Sequence, residues 1–214
     1  MKKLIVFDMD DTLIQSKKVH YKAYQKAFEK NHLKKYSDRI VKKEMKYKGS
    51  VVIKKLYPEL HKSQVKKVIE DYFQFVREET HKYAKPYPHV LHMLPHLARH
   101  FKLAIVTNCR NYNILPILDA AGIHPIVFDE IIGRDDVKEK KPSPEGINLV
   151  KKRLNIKKGY MVGDSIKDIT AARKAGLTPI GVLTGFHTKQ ELEKEKPKKI
   201  IKSIKEIYSA IHPE

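Results

Sequence analysis

Leu4-Ile5-Val6-Phe7-Asp8-Met9-Asp10-Asp11-Thr12-Leu13 carries four consecutive apolar residues straight into a group of acids. An unbroken apolar run of this kind reads as a strand buried on both faces, the pattern of a parallel sheet. The spacing predicts a strand over Lys3–Asp8. In an extended chain, side chains two apart point the same way, so Asp8 and Asp10 are expected to aim at one small volume. Two carboxylates held together repel each other and lose hydration, and they need a cation or a shared proton. A hard divalent ion with oxygen ligands, Mg²⁺, is the simplest solution. The bland alternative is a strand that ends in a solvated Asp-rich turn.

Outward from this strand the pattern changes. From about Val19 to Tyr83 the chain is lysine-rich, with apolar residues at helical spacing: Tyr24, Ala27 and Phe28, then Val65, Val68, Ile69, Tyr72, Phe73 and Val76. No strand-like alternation intervenes. The stretch reads as a small all-helical unit, residues 16–86, inserted into a core of residues 1–15 and 87–214. Gly49 and Pro58 mark breaks inside it, and Pro86 and Pro88 mark its exit.

Beyond Pro88 helices and strands alternate. Helices are predicted at Val90–His100 (with Pro95 a possible kink), Ile114–Ala121, Pro144–Leu154 with Ser143 as N-cap, and Ile166–Ala175. Gly122 and Gly176 are the stop signals of the second and fourth of these. Strands are predicted at Lys102–Thr107, Val127–Ile132, Tyr160–Val162 and Pro179–Leu183, and two further helices close the chain. Such alternation predicts an α/β fold: a doubly wound, Rossmann-like parallel sheet covered on both faces, with the helical unit as an insertion.

Bulk composition narrows the function classes. The chain has 214 residues, 41% of them hydrophobic, which suits one core domain with an insertion. No apolar run approaches the roughly 20 residues that cross a bilayer, and no signal-peptide pattern is present, so a soluble cytoplasmic protein is expected. The single cysteine excludes an internal disulfide and a cysteine-based zinc cluster. The net charge of +19 attracts anionic substrates. Nucleic acid is not expected as a partner, because no aromatic-basic stacking motif accompanies the charge. The bland alternative is a solvated lysine-glutamate surface of the heat-adapted kind, although the lysine excess is not balanced by acids.

In open parallel sheets the site lies beyond the carboxyl ends of the strands. The polar residues just past the predicted strand ends are Asp8 and Asp10, Thr107 and Asn108, and Gly163-Asp164-Ser165, with Lys141 opening the helix after a loop. This set suits phosphoryl transfer through a carboxylate nucleophile. Asp8 is the candidate nucleophile, and Asp10 the general acid and then the base. Thr107, with the backbone N–H groups of Thr107 and Asn108, is a candidate for holding phosphate oxygens. Lys141 supplies positive charge to those oxygens and to Asp8. Asp164 is the candidate metal ligand across from Asp8, and Asp168 is expected to support the metal through a ligand or a water.

These segments together resemble the haloacid dehalogenase-like hydrolase superfamily. Asp8-Met9-Asp10-Asp11-Thr12 is similar to its first motif, Ile105-Val106-Thr107-Asn108 to the second, Lys141-Pro142-Ser143-Pro144 to the third, and Gly163-Asp164-Ser165 with Asp168 to the fourth. The helical insertion resembles the family's helical cap. Gly133-Arg134-Asp135-Asp136-Val137 resembles the phosphoglycolate phosphatase and β-phosphoglucomutase branch. The resemblance implies a Mg²⁺-dependent phosphoryl-transfer enzyme in which the backbone carbonyl of Asp10 also binds the metal. Many relatives carry glycine where this chain has Asp11. An acid at position 10 points to a phosphatase or phosphomutase.

The expected function is hydrolysis of a small phosphorylated metabolite through an aspartyl-phosphate, with phosphoglycolate as first substrate, by a monomer or homodimer. The alternatives are a phosphosugar mutase, a pyrophosphatase or nucleotidase, and, from another class, a non-catalytic basic nucleic-acid-binding protein. Lys48 and Gly49 resemble the family's substrate-specificity loop and are candidate substrate contacts. His89, His92, His96 and His100 recur at spacings of three and four and would share one helix face. With no carboxylate or cysteine joining them, they read as a solvated or half-buried face. Cys109 reads as a buried, inert thiol.

Overall fold

The computed structural model describes residues 2–211, which divide into two compact units. The second unit is Ser16–Ala84, and the other described residues make up the first. In chain order, β1 (Lys3–Phe7) and the short β2 (Ile14–Gln15) lead into the second unit. That unit holds α1 (Lys17–Lys30), α2 (Asp38–Glu44), α3 (Gly49–Leu56) and α4 (Lys62–Phe75). A π-helical turn over Val76–Thr80 and a 3-10 turn over His81–Tyr83 close it. The first unit resumes with β3 (Lys85–Pro86), α5 (Val90–His100), β4 (Phe101–Val106), α6 (Asn111–Ala120) and β5 (Glu130–Ile132). It continues with α7 (Glu145–Arg153), β6 (Gly159–Gly163), α8 (Ile166–Lys174) and β7 (Thr178–Val182). It ends with α9 (Lys189–Glu193), β8 (Lys199–Ile201) and α10 (Ile207–Ile211).

Six strands form one parallel sheet in the order β5-β4-β1-β6-β7-β8. The apolar run at the start of the chain is central because both its faces are covered. Leu4 and Val6 pack with Ala104, Val106 and Met161 against Ile147 and Val150 of α7 and Ala171 and Ala172 of α8. Ile5 and Phe7 alternate to the opposite side and are also fully buried. Each such side chain contributes about 1.5–3 kcal/mol by leaving water. The chain runs outward from β1 to one edge and then returns to β6 on the other side. That reversal puts a crevice at the carboxyl end of β1. The register Phe7↔Ile105 and Phe7↔Val162 then brings Asp8, Thr107 and Asp164 to the same end of three adjacent strands.

The second unit has its own core. Phe28, Val41, Val52 and Ile53 are fully buried, and the Tyr24 and Tyr72 rings stack at 4.3 Å between centroids. Asp71 is buried there. It pairs with Lys30 at 2.6 Å and accepts from Asn31 at 2.7 Å. The unit closes at Ala84 rather than at 86, because Lys85 and Pro86 pair antiparallel with Gln15 and Ile14 in the first unit.

Several local expectations change. The chain does not end in two helices alone, because β8 adds a sixth strand parallel to β7. Of Val127–Ile132 only Glu130–Ile132 is strand, since Pro125 starts a 3-10 turn over Pro125–Val127. The helix predicted from Pro144 begins at Glu145, with Pro144 itself as N-cap, and Ser143 Oγ accepts from the Glu145 N–H at 3.3 Å. Helix α5 runs through Pro95 without a break. Pro95 lies on the exposed face, where water can serve the carbonyl left without a donor. Among the described residues no helix is long and apolar enough to cross a membrane.

Candidate active site

Strand β1 ends at Phe7, yet the Asp8 N–H still donates to the Val162 carbonyl at 2.9 Å and so stays in line with the sheet. The residues after it leave the extended path. The Leu13 and Ile14 N–H groups both donate to the Met9 carbonyl, at 3.0 and 3.1 Å, and the Asp11 N–H donates to the Ile14 carbonyl at 2.7 Å. Asp11 has φ 55, the left-handed region that glycine enters freely and that aspartate tolerates. Thr184 Oγ1 fixes the turn further by donating to the Asp11 carbonyl at 2.5 Å.

Asp10 lies within this turn, bridged to Ile14. The carboxylate oxygens of Asp8, Asp164 and Asp168 lie within 4.8 Å of one another, and Asp10 is outside that group. Its charge still acts on Asp8. Asp168, expected to support the metal, is one of the three converging acids and pairs with Lys141. The route is local: Ser165 N-caps α8, and Asp168 Oδ2 accepts from the Ser165 N–H at 3.1 Å and from its hydroxyl at 2.5 Å. Gly163 makes room for this carboxylate, since a Cβ at Gly163 would stand 2.4 Å from the Asp168 Cγ.

Lys141 lies in the loop four residues ahead of α7 rather than opening that helix, and its side chain reaches inward to the sheet end. Its Nζ donates to Asp8 Oδ1 at 2.7 Å and to the Val106 carbonyl at 2.6 Å, and stands 2.6 Å from Asp168 Oδ1. The lysine, Asp8, Asp164 and Asp168 are all buried. Burial pushes the Asp8 carboxyl well above the usual carboxylate range; Lys141 opposes this, and Asp168 and Asp10 add to it. Burial likewise raises Asp164, helped by Asp8, Asp168 and Asp11. For Lys141 burial works against the charge, but Asp168 and Asp8 outweigh it and hold the ammonium protonated. Three buried carboxylates thus share one cation, a charge deficit that a bound divalent ion would relieve.

Thr107 is buried at the end of β4, and its Oγ1 accepts from the Cys109 N–H at 3.1 Å. Asn108 spends its side-chain amide on the Lys141 carbonyl at 3.1 Å, so it holds the loop that carries the lysine. Cys109 is half-buried rather than fully buried, and desolvation, with the Asp10 and Asp8 charges, pushes its thiol up. Lys48 and Gly49 lie in the helical unit, as the N-cap and first residue of α3.

Two contributors had no role in the sequence reading. Thr12 Oγ1 donates to Asp164 Oδ1 at 3.2 Å across 152 residues of chain. Gly185 passes so close that a Cβ would lie 1.7 Å from Asp164 Oδ2. Thr12 sat beside the acids and could have been suspected. Gly185 had no local signal.

The haloacid dehalogenase-like hydrolase profile matches residues 5–182. The chain is 34% identical over 150 residues to the phosphoglycolate phosphatase of Escherichia coli; the match covers 69% of this chain and 58% of that enzyme. It is 34% identical over 194 residues to the phosphoglycolate phosphatase of Aquifex aeolicus, covering 86% of each. The crystal structure of a predicted phosphoglycolate phosphatase from Haemophilus somnus 129pt superposes with a TM-score of 0.85 at 26% identity, covering 99% of this chain and 98% of that one. With a family match across the central strand and the segments that carry Asp8, Thr107, Lys141 and Asp164, the chain belongs to the haloacid dehalogenase-like hydrolases.

Proposed function

We propose that this protein is a Mg²⁺-dependent phosphatase that hydrolyses a small phosphorylated metabolite through an aspartyl-phosphate, with phosphoglycolate as the first substrate to test. The observation that carries the reading is the buried group of Asp8, Asp164 and Asp168 around Lys141 at the carboxyl end of β1. The relatives named above supply the substrate class.

Asp8 attacks phosphorus: one of its carboxylate oxygens bonds to phosphorus as the bond to the leaving oxygen breaks. Lys141, fixed at Asp8, favours the ionised carboxylate against burial and offers positive charge to the phosphoryl oxygens. Asp10 gives its proton to the leaving alkoxide. In the second half, Asp10 takes a proton from the water that attacks phosphorus, and Asp8 is released. The Thr107 hydroxyl and the Asn108 N–H hold the phosphate in register with Asp8; the Thr107 N–H, expected to join them, is spent on the Ile132 carbonyl at 3.0 Å. The carboxylate set fits a hard cation, with Asp8 and Asp164 as ligands, Asp168 beside them and the Asp10 carbonyl completing the protein's share. When bound, Mg²⁺ neutralises charge on the phosphoryl group and on the acids that face it.

The test is phosphate release from 2-phosphoglycolate and from β-glucose 1-phosphate, with Mg²⁺ and with chelator. Mg²⁺-dependent release from 2-phosphoglycolate, abolished in Asp8→Asn, supports the reading. Conversion of β-glucose 1-phosphate to the 6-phosphate without release would replace hydrolysis by the mutase reaction. Undiminished turnover in Asp8→Asn would end the covalent route.

A further inference from the structure

Helix α5 presents a feature that the phosphatase reading leaves unused. Met93, Leu94 and Leu97 anchor its buried side, while His96 and His100, one turn apart, are exposed on the other. Their ring centroids are 5.7 Å apart at an interplanar angle of 59°. The Tyr208 ring of α10 stands edge-on to His96 at 5.5 Å and limits where that imidazole can turn. Neither histidine makes a hydrogen bond among the described residues that would occupy its ring nitrogens.

These distances suit a shared ion. With a metal–nitrogen bond of about 2.0–2.1 Å, two imidazoles at a tetrahedral angle place their centroids about 5.2 Å apart. The observed separation exceeds this by about half an ångström, which a small side-chain rotation closes. His92 is also four residues from His96, yet it makes no ring contact with it among the described residues. The third and fourth coordination positions would face water, so the site is open.

Its place in the fold separates it from the acidic cluster. His100 immediately precedes Phe101, the first residue of β4, whereas the acids lie beyond the carboxyl ends of the strands. The six residues of β4 between them span about 20 Å. The donor chemistry differs as well. Imidazole selects borderline ions, while clustered carboxylates select Mg²⁺.

We propose that His96 and His100 form an open, two-imidazole site for a borderline divalent cation such as Zn²⁺, at the amino end of the core sheet. The probe is Zn²⁺ itself, titrated calorimetrically into untagged full-length protein with excess Mg²⁺ present to occupy the carboxylates. His96→Gln and His100→Gln are each expected to weaken Zn²⁺ binding at least tenfold, and His92→Gln less than twofold. Both exposed substitutions should leave phosphate release in Mg²⁺ unchanged. Zn²⁺ affinity that survives in His100→Gln, or that falls as far in His92→Gln, would overturn the assignment. Because the readout is binding and not turnover, failure of the phosphatase reading would leave this test standing.

Discussion

Replacing Lys141 by Met keeps most of the side chain's bulk and deletes its charge. The ammonium now satisfies Asp8, Asp168 and the Val106 carbonyl at 2.6–2.7 Å, all in a buried setting. Removing one partner of a buried ion pair costs about 3–5 kcal/mol, because the other charge stays behind without compensation. That is a large part of the roughly 5–15 kcal/mol that holds a domain together. The cost should depend on pH. Burial raises the Asp8 pKa even with the lysine present, and without it nothing opposes burial, Asp168 and Asp10. A carboxyl whose folded-state pKa lies above its unfolded value binds a proton on folding. Its contribution is fully present below the unfolded value of about 3.9 and is lost as pH rises through the folded value. Lys141, whose own pKa is raised in the fold, keeps its contribution throughout the neutral range, since that is lost only as pH rises through its folded value. With the lysine present Asp8 loses its proton around pH 7, and without it only at higher pH, so the variant's deficit grows as pH rises above about 7, a change that measurements at about pH 6 and about pH 9 bracket. Urea denaturation in chelator should show a loss of about 3–5 kcal/mol at the higher pH and at least about 1 kcal/mol less at the lower. An equal loss at both pH values would refute the idea that the lysine's main task is to compensate buried carboxylates.

Gly185→Ala puts a methyl against Asp164 Oδ2; it should cost about 1–3 kcal/mol and weaken the stabilisation that Mg²⁺ gives in a thermal melt. Asp11→Val, at φ 55, should lose about 1–2 kcal/mol while Asp11→Gly folds normally, as urea midpoints would show. In the helical unit burial would raise Asp71, but hydrogen bonds from Lys30 and Asn31 bring its carboxyl below the usual range. That stability is present above the unfolded pKa and is lost as pH falls through the folded one. Asp71→Asn should cost about 1–3 kcal/mol at neutral pH and less under acid conditions, as denaturation at several pH values would reveal.

The parts legible in the sequence were the ones with local causes. Leu4-Ile5-Val6-Phe7 announced a central strand because a strand buried on both faces needs an unbroken apolar run. Gly122 and Gly176 announced helix ends, and both take the left-handed conformation, at φ 67 and φ 70. Asp8, Thr107 and Asp164 stood out as the polar residues just past each strand, since the register of a parallel sheet aligns those positions. The turn after Phe7, closed on the Met9 carbonyl, was not legible, because its hydrogen bonds leave no periodic pattern. Strand β8 was hidden because Ile200 and Ile201 are only two apolar residues among lysines. Thr12 and Gly185 reach Asp164 through tertiary contacts, which leave no periodic trace in the chain.

The central claim is a covalent bond between phosphorus and Asp8. Rapid acid quench during turnover of 2-phosphoglycolate, with peptide mass analysis of the quenched protein, reads it directly. The account predicts a gain of about 80 Da on the peptide that contains Asp8, enriched in Asp10→Asn and missing in Asp8→Asn. Phosphate formed at the full rate with Asp8 never modified, in the wild type or in Asp10→Asn, would mean that water attacks the substrate directly.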